Sequence, residues 1–181
     1  MRFSPQLDRR HLLAGSLACL ISTTGQSQAR PGLSHDGGAF ASRGIPPGTI
    51  VISLSRRRLF LTEGDGLAIS YPVAVGRSGK AWSGWARIDG KHIQPAWSPP
   101  DEVKRDNPRL PSVIAGGAPN NPMGARALTL DRSEIAIHGT SRSMRASIGG
   151  AASYGCIRML NEDVIDLFDR VQVGTRVIAV P

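Results

Sequence analysis

Across 181 residues, one segment carries a helical period that could bury a full apolar stripe. Val164, Leu167, Phe168 and Val171 fall at i, i+3, i+4 and i+7. Asn161 stands where a cap belongs, Glu162 and Asp163 suit the positive first turn, and Gly174 marks the end. The other apolar runs are short, β-branched and punctuated by turn residues. Residues 49–54 (Thr-Ile-Val-Ile-Ser-Leu) predict a strand, and Leu59-Phe60-Leu61 predicts another. Glu63-Gly64-Asp65-Gly66 is a turn signal and residues 67–75 resume as a strand, so 58–75 reads as a hairpin. Residues 127–130 and 135–138 are two further strands around a turn at Asp131-Arg132-Ser133, and 175–180 is a last one. Residues 76–112 read as loop-rich, with Trp82, Trp85 and Trp97 at irregular spacing. The predicted class is mainly β with one well-defined helix.

The N-terminus is read as separate from this fold. Met1 to His11 is basic, residues 12–22 form an apolar run too short to span a bilayer comfortably, and Ser27-Gln28-Ala29 is a small-x-small cleavage pattern. Residues 1–29 are therefore expected to be an export signal. Asp8-Arg9-Arg10-His11-Leu12-Leu13 resembles the twin-arginine type, with the general secretory route as the alternative export machinery. Cys19 follows Ser16-Leu17-Ala18, which puts Leu one place out of register for a lipoprotein signal. Residues 30–47, rich in Gly, Ser and Pro, read as a linker, and 48–181 as one domain.

Losing residues 1–29 removes three arginines and one aspartate, so the net charge falls from +8 to +6. Such a charge suits an anionic wall or membrane surface. A nucleic-acid partner is not expected, because the basic residues are scattered and Arg56-Arg57-Arg58 is the only run. No second apolar stretch is long enough for a membrane span. His35 lies in the linker and His92 has no ligand partner at metal spacing, so neither a metal nor a cofactor is expected.

Of the two cysteines, Cys19 lies in the expected signal, leaving Cys156 alone in the exported chain. A lone exported thiol is either a buried packing residue or kept for reactivity. The absence of a second thiol disfavours redox chemistry. Cys156 ends Gly149-Gly150-Ala151-Ala152-Ser153-Tyr154-Gly155, a stretch poor in bulky side chains. Here a substrate backbone can come close and the amides of Gly155 and Cys156 can face an oxyanion. His138 ends a predicted strand. An imidazole near Cys156 can lower the thiol from about 8.5 and leave a thiolate–imidazolium pair. A carbonyl exposed by Gly139 can hold the imidazole tautomer where a triad would use Asp. Arg158 suits bidentate carboxylate binding, or equally a structural pairing with Asp163. The tryptophans read as core or loop packing in preference to a sugar-stacking platform.

The order His138-Gly139-Thr140 … Ser153-Tyr154-Gly155-Cys156-Ile157-Arg158-Met159 closely resembles the signature of the YkuD-type L,D-transpeptidases. The likeness extends to Pro72-Val73-Ala74-Val75-Gly76, Trp97-Ser98-Pro99-Pro100, and the Gly116-Gly117-Ala118-Pro119-Asn120-Asn121-Pro122-Met123-Gly124 string, and so covers about 48–180. It implies a β-sandwich-like L,D-transpeptidase catalytic domain, a cysteine acyl-enzyme and peptidoglycan stem peptides as donor and acceptor. Cys156 is then the nucleophile, His138 the base and Gly139 the carbonyl that orients it. Ser153, Tyr154, Gly155 and Arg158 would form the oxyanion and substrate-binding surface. The family more often has His where this chain has Tyr154. The resemblance implies a periplasmic or cell-envelope protein that builds cell wall. L,D-carboxypeptidase action with water, or a non-catalytic wall-binding module, are the alternatives.

Overall fold

The computed structural model describes residues 44–181. The expected export signal and nearly all of the expected linker lie outside the described residues. Nine strands form, β1 (Ile50–Ser53), β2 (Arg58–Gly64), β3 (Leu67–Gly76), β4 (Gly84–Ile93), β5 (Arg126–Leu130), β6 (Ala136–His138), β7 (Ala151–Ser153), β8 (Ile157–Met159) and β9 (Arg176–Val180). Among the described residues two α-helices, α1 (Asp101–Asp106) and α2 (Asn161–Arg170), and one 3-10 helix (Arg142–Ser147) join them.

The sheet runs β2-β1-β9-β4-β5-β6-β8-β3-β7, and β2 also pairs with β3. That extra pairing closes the sheet into a barrel-like sandwich and leaves β7 as an appendix on β3. The expected hairpin is present, with Leu59 opposite Tyr71 and Leu61 opposite Ile69. Alternation along β1 explains its unbroken apolar run. Ile50 and Ile52 enter the main core, whereas Val51 joins Phe60 and Ala68 in a small second cluster. Between antiparallel β2 and parallel β9, β1 has no solvent-facing side.

Helix α2 packs against β5 and β6 and inserts Val164 and Leu167 into the main core, joined by Val171 just past its end. Burying side chains of this size is worth about 1.5–3 kcal/mol each, which a ten-residue helix could not supply from propensity alone. Its ends differ from the sequence expectation. The cap position is Leu160, no side chain caps the helix, and Asn161 is its first residue. The helix stops at Arg170, and Gly174, at φ +90°, makes the turn into β9.

Residues 76–112 are not simply loop. Strand β4 lies between β9 and β5 and buries Ala86 and Ile88. Its sequence, Gly-Trp-Ala-Arg-Ile-Asp-Gly-Lys-His-Ile, disguises this, since charged residues and glycines are poor strand formers. The register shifts between Ile88 and Gly90, and a Cβ on Gly90 would lie 2.6 Å from Thr129 Oγ1. The glycine therefore marks a close approach at a bulge. Among the described residues, no helix is long and apolar enough to cross a membrane.

Candidate active site

Parallel pairing of β6 with β8 brings the two key motifs together. Ile137 sits beside Ile157 and His138 beside Arg158, so Cys156, just before β8, reaches the level of Ala136. Side chains two apart share a strand face, and His138 therefore stands on the same face as Ala136. Cys156, His138 and Arg158 all line one cleft of about 460 Å³.

The turn carrying the thiol is clamped by Ser153. Its Oγ accepts the Gly155 N–H at 3.1 Å and donates to the Cys156 carbonyl at 2.6 Å. Gly155 sits at φ +129°, and a Cβ there would meet Ile135 Cδ1 at 2.8 Å. Its carbonyl accepts Trp82 Nε1–H at 3.1 Å. Two sequence expectations change. The Gly155 amide is already engaged by Ser153 and does not face the cleft as a spare donor, and Ser153 acts on the turn itself.

His138 is buried, and its Nδ1 lies 2.8 Å from the Gly139 carbonyl. A carbonyl can only accept, so Nδ1 carries the proton and Nε2 presents a lone pair. Burial, with the Arg158 charge adding to it, lowers the imidazole from 6.5 to about 4, against the opposing pull of the Gly139 and Pro122 carbonyls. Burial also pushes the Cys156 thiol up, and its Sγ–H donates to the Glu134 carbonyl at 3.4 Å. Both shifts favour the neutral form of each group. A thiolate–imidazolium pair, which the sequence allowed, is disfavoured because both groups are desolvated and burial penalises either charge.

Arg158 is half-buried, and burial lowers its guanidinium pKa. Among the described residues no ion pair joins it to a carboxylate. The pairing with Asp163 is not formed. Asp163 instead feels Glu162, Asp166, Arg145 and Arg58, and one of its oxygens is buried without a partner.

Tyr154 lines the same cleft, and its hydroxyl is engaged by a carboxylate. Its hydroxyl donates to Asp106 Oδ2 at 2.6 Å, and the Arg77 guanidinium lies 4.0 Å over its ring. Arg77 also bonds Asp106 at 3.1 Å, and Lys80 pairs with Glu102. These contacts hold down a strap, residues 98–113, that contains α1 and roofs the cleft with Val103 and Leu110. The Trp97–Ile114 bridge closes the base of the strap. Asn121 ties that base with bonds from Nδ2 to the Pro95 and Ala115 carbonyls, both 2.9 Å. Sequence reasoning missed the strap. A signal was present, because Pro99-Pro100 precedes Asp101-Glu102 and Lys104-Arg105, the charge order of a helix start and end.

Of the tryptophans, Trp82 packs partly on the core, Trp97 lines the cleft and Trp85 is 56% exposed. Among the described residues, no group of three His, Cys, Asp or Glu side chains is placed to hold a metal.

Comparison with known proteins gives a consistent likeness. Residues 47–178 match the YkuD family model, described as the L,D-transpeptidase catalytic domain. A putative L,D-transpeptidase YkuD of Bacillus licheniformis is 35% identical over 179 residues, covering 92% of each chain. The probable L,D-transpeptidase YbiS of Escherichia coli K12 is 36% identical over 141 residues, 74% of this chain. The matched region spans 44% of YbiS, so this chain corresponds to less than half of that relative. An L,D-transpeptidase structure from Mycobacterium smegmatis superposes with a TM-score of 0.58 at 15% identity, covering 74% of this chain and 58% of the other. At that identity the likeness concerns the fold.

Proposed function

This chain belongs to the YkuD family of L,D-transpeptidase catalytic domains, and from that premise we propose that it is a cysteine acyltransferase acting on peptidoglycan stem peptides in the periplasm or cell envelope. The supporting observation is the placing of Cys156 and His138 in one cleft, with Nδ1–H of His138 held by the Gly139 carbonyl.

The steps follow from a neutral pair. As a donor stem enters, Cys156 passes its proton to His138 Nε2 and the sulfur attacks the carbonyl between the L-centre and the terminal D-residue. The amide of Cys156 faces the oxyanion, since Ser153 occupies that of Gly155. The C–N bond breaks, His138 returns its proton to the departing amine, and a thioester remains on Cys156. An acceptor amine then attacks, gives its proton to His138, and releases the thiol. Arg158, a cation on the same cleft without a carboxylate partner among the described residues, suits a carboxylate of the stem.

A second cleft of about 700 Å³, across the Trp97–Pro100 segment, also reaches Cys156. Two approaches to one sulfur favour an amine acceptor over water, which needs no cleft of its own. The test is to incubate the mature protein with disaccharide-tetrapeptide, with and without candidate amines, and identify products by mass. Amine-dependent cross-linked product supports transpeptidation. Release of the D-residue alone supports the carboxypeptidase, and no mass added to Cys156 by donor or by a carbapenem refutes the acyl-enzyme.

A further inference from the structure

Asn161, expected to cap α2, is used elsewhere. Its Oδ1 accepts the Ala125 N–H at 2.9 Å and the Thr140 N–H at 3.1 Å, and its Nδ2 donates to the Thr140 carbonyl at 3.0 Å. The Thr140 N–H belongs to the same planar peptide unit as the Gly139 C=O. In a trans peptide those two groups point in opposite directions. Fixing the N–H on Asn161 therefore fixes the carbonyl on the other side, where it meets His138 Nδ1 at 2.8 Å.

From this geometry we infer that Asn161 is a positioning residue for His138, acting through the 139–140 peptide to hold the imidazole in its Nδ1–H tautomer. The inference rests on His138 being the base proposed above. Glycine is the reason such a brace is required. Gly139 has no Cβ to restrict its ψ, and its own N–H is tied to the Arg126 carbonyl at 3.0 Å. Rotation about ψ would swing the carbonyl away from the imidazole while leaving that bond intact. Asn161 grips Thr140 by both its N–H and its carbonyl and removes that freedom.

The surrounding packing is built around the same amide. A Cβ on Gly139 or on Gly124 would lie 2.2 Å from Asn161 Oδ1. Gly124 sits at φ +65°, and its added Cβ would also be 2.3 Å from the Thr140 nitrogen. Two separated pieces of sequence, Gly124-Ala125 and Gly139-Thr140, thus converge on the side-chain amide of Asn161 at the start of α2. A helix cap would explain none of these bonds, because all three partners lie outside the helix.

The decisive measurement reads the imidazole itself. Long-range proton–nitrogen spectra of ¹⁵N-histidine protein at pH 7 distinguish a protonated from an unprotonated ring nitrogen, with His138→Gln assigning the signal. Wild type is expected to show a single Nδ1–H tautomer. Asn161→Ala is expected to show a mixture of tautomers in a folded protein. Asn161→Asp keeps an oxygen for the Ala125 and Thr140 N–H groups but loses the donor to the Thr140 carbonyl, and is expected to fall between wild type and Asn161→Ala. Should the alanine variant not fold, Asn161→Ser carries the same expectation, since serine suits a helix start but is too short to reach Thr140. Acylation of Cys156 is expected to slow by about 10–100-fold in Asn161→Ala, as for other small misplacements of a reacting group. It should recover only in part in Asn161→Asp, which keeps one of the two grips on Thr140. An unaltered Nδ1–H signal in folded Asn161→Ala or Asn161→Ser, or an Nε2–H tautomer in wild type, overturns the inference. Failure of wild type to acylate would instead remove the proposed activity, and the spectra would still decide the role of Asn161.

Discussion

The floor and the roof of the cleft are built from different kinds of bond. The floor is the parallel pair β6–β8, with Ile137, Ile157 and Met159 fully buried beneath His138 and Cys156. The roof is the strap of residues 98–113, whose short helix buries no residue at all. It is held by the Tyr154–Asp106–Arg77 cluster and the Lys80–Glu102 pair, largely in contact with water. Exposed pairs are worth about 0.2–1 kcal/mol each, whereas a buried core side chain is worth several times more. On the proposed mechanism, the difference teaches that the groups that would exchange protons are fixed by burial, and the element beside which a substrate would pass is held by bonds that water can replace.

The sharpest way to break this comparison is at the floor. His138→Ala is expected to abolish turnover and slow Cys156 acylation by about 10²–10⁴-fold, the usual value of a positioned proton-transfer group. Single-turnover mass spectrometry at pH 7 measures it. A near wild-type rate would show that the base is another group.

Next in size is the support under the floor. Leu167→Ala removes a fully buried α2 side chain from the main core and is expected to cost about 2–5 kcal/mol in urea unfolding. Since α2 packs on β5 and β6, the variant should also lose hydrogen-exchange protection there sooner than in the strap. Preferential loss in the strap would show that floor and roof are not independent.

Two buried titrating groups give opposite pH slopes. His138 falls from 6.5 to about 4 in the fold, so the unfolded chain takes the proton first as pH drops. The stability it contributes is complete above pH 6.5 and lost as pH falls through about 4. Asp163 rises from 3.8 to about 6, chiefly by burial and then by Glu162 and Asp166. Its contribution is complete below pH 3.8 and lost as pH rises through about 6. Asp163→Asn is therefore expected to stabilise the protein at pH 7 by on the order of 2 kcal/mol, with the gain gone near pH 4. Urea midpoints across that range test it. An equal gain at both ends would mean that charge is not the cause.

The smallest effect belongs to the roof. Tyr154→Phe removes the hydroxyl bonded to Asp106 and is expected to cost less than about 1 kcal/mol. It should leave acylation within a few-fold of wild type and raise hydrogen exchange in residues 98–113. Tyr154→His should behave alike. A loss as large as that of His138→Ala would place the phenol in the proton path.

What was legible in the sequence was whatever a local pattern can carry. The hairpin of β2 and β3, the strands β1, β5, β6 and β9, and helix α2 each announce themselves through spacing of apolar residues. Cys156 and His138 were recognisable from the strings around them. Strand β4 was hidden because only Ala86 and Ile88 face the core while glycines and charges fill the rest. The strap was hidden because its order comes from partners far along the chain.

By itself, then, the sequence determined the class of fold and the order of its main elements, and it singled out the thiol and imidazole on which the proposed function rests, because periodicity and short motifs are properties of neighbouring residues. Tertiary structure alone decided the closure of β2 on β3, the burial that disfavours charge on Cys156 and His138, the engagement of the Gly155 amide, and the use of Asn161 as a brace in place of a cap. Each of these depends on which distant groups exclude water or supply a hydrogen-bond partner. Burial and partner choice are set by packing, and no run of adjacent residues encodes them.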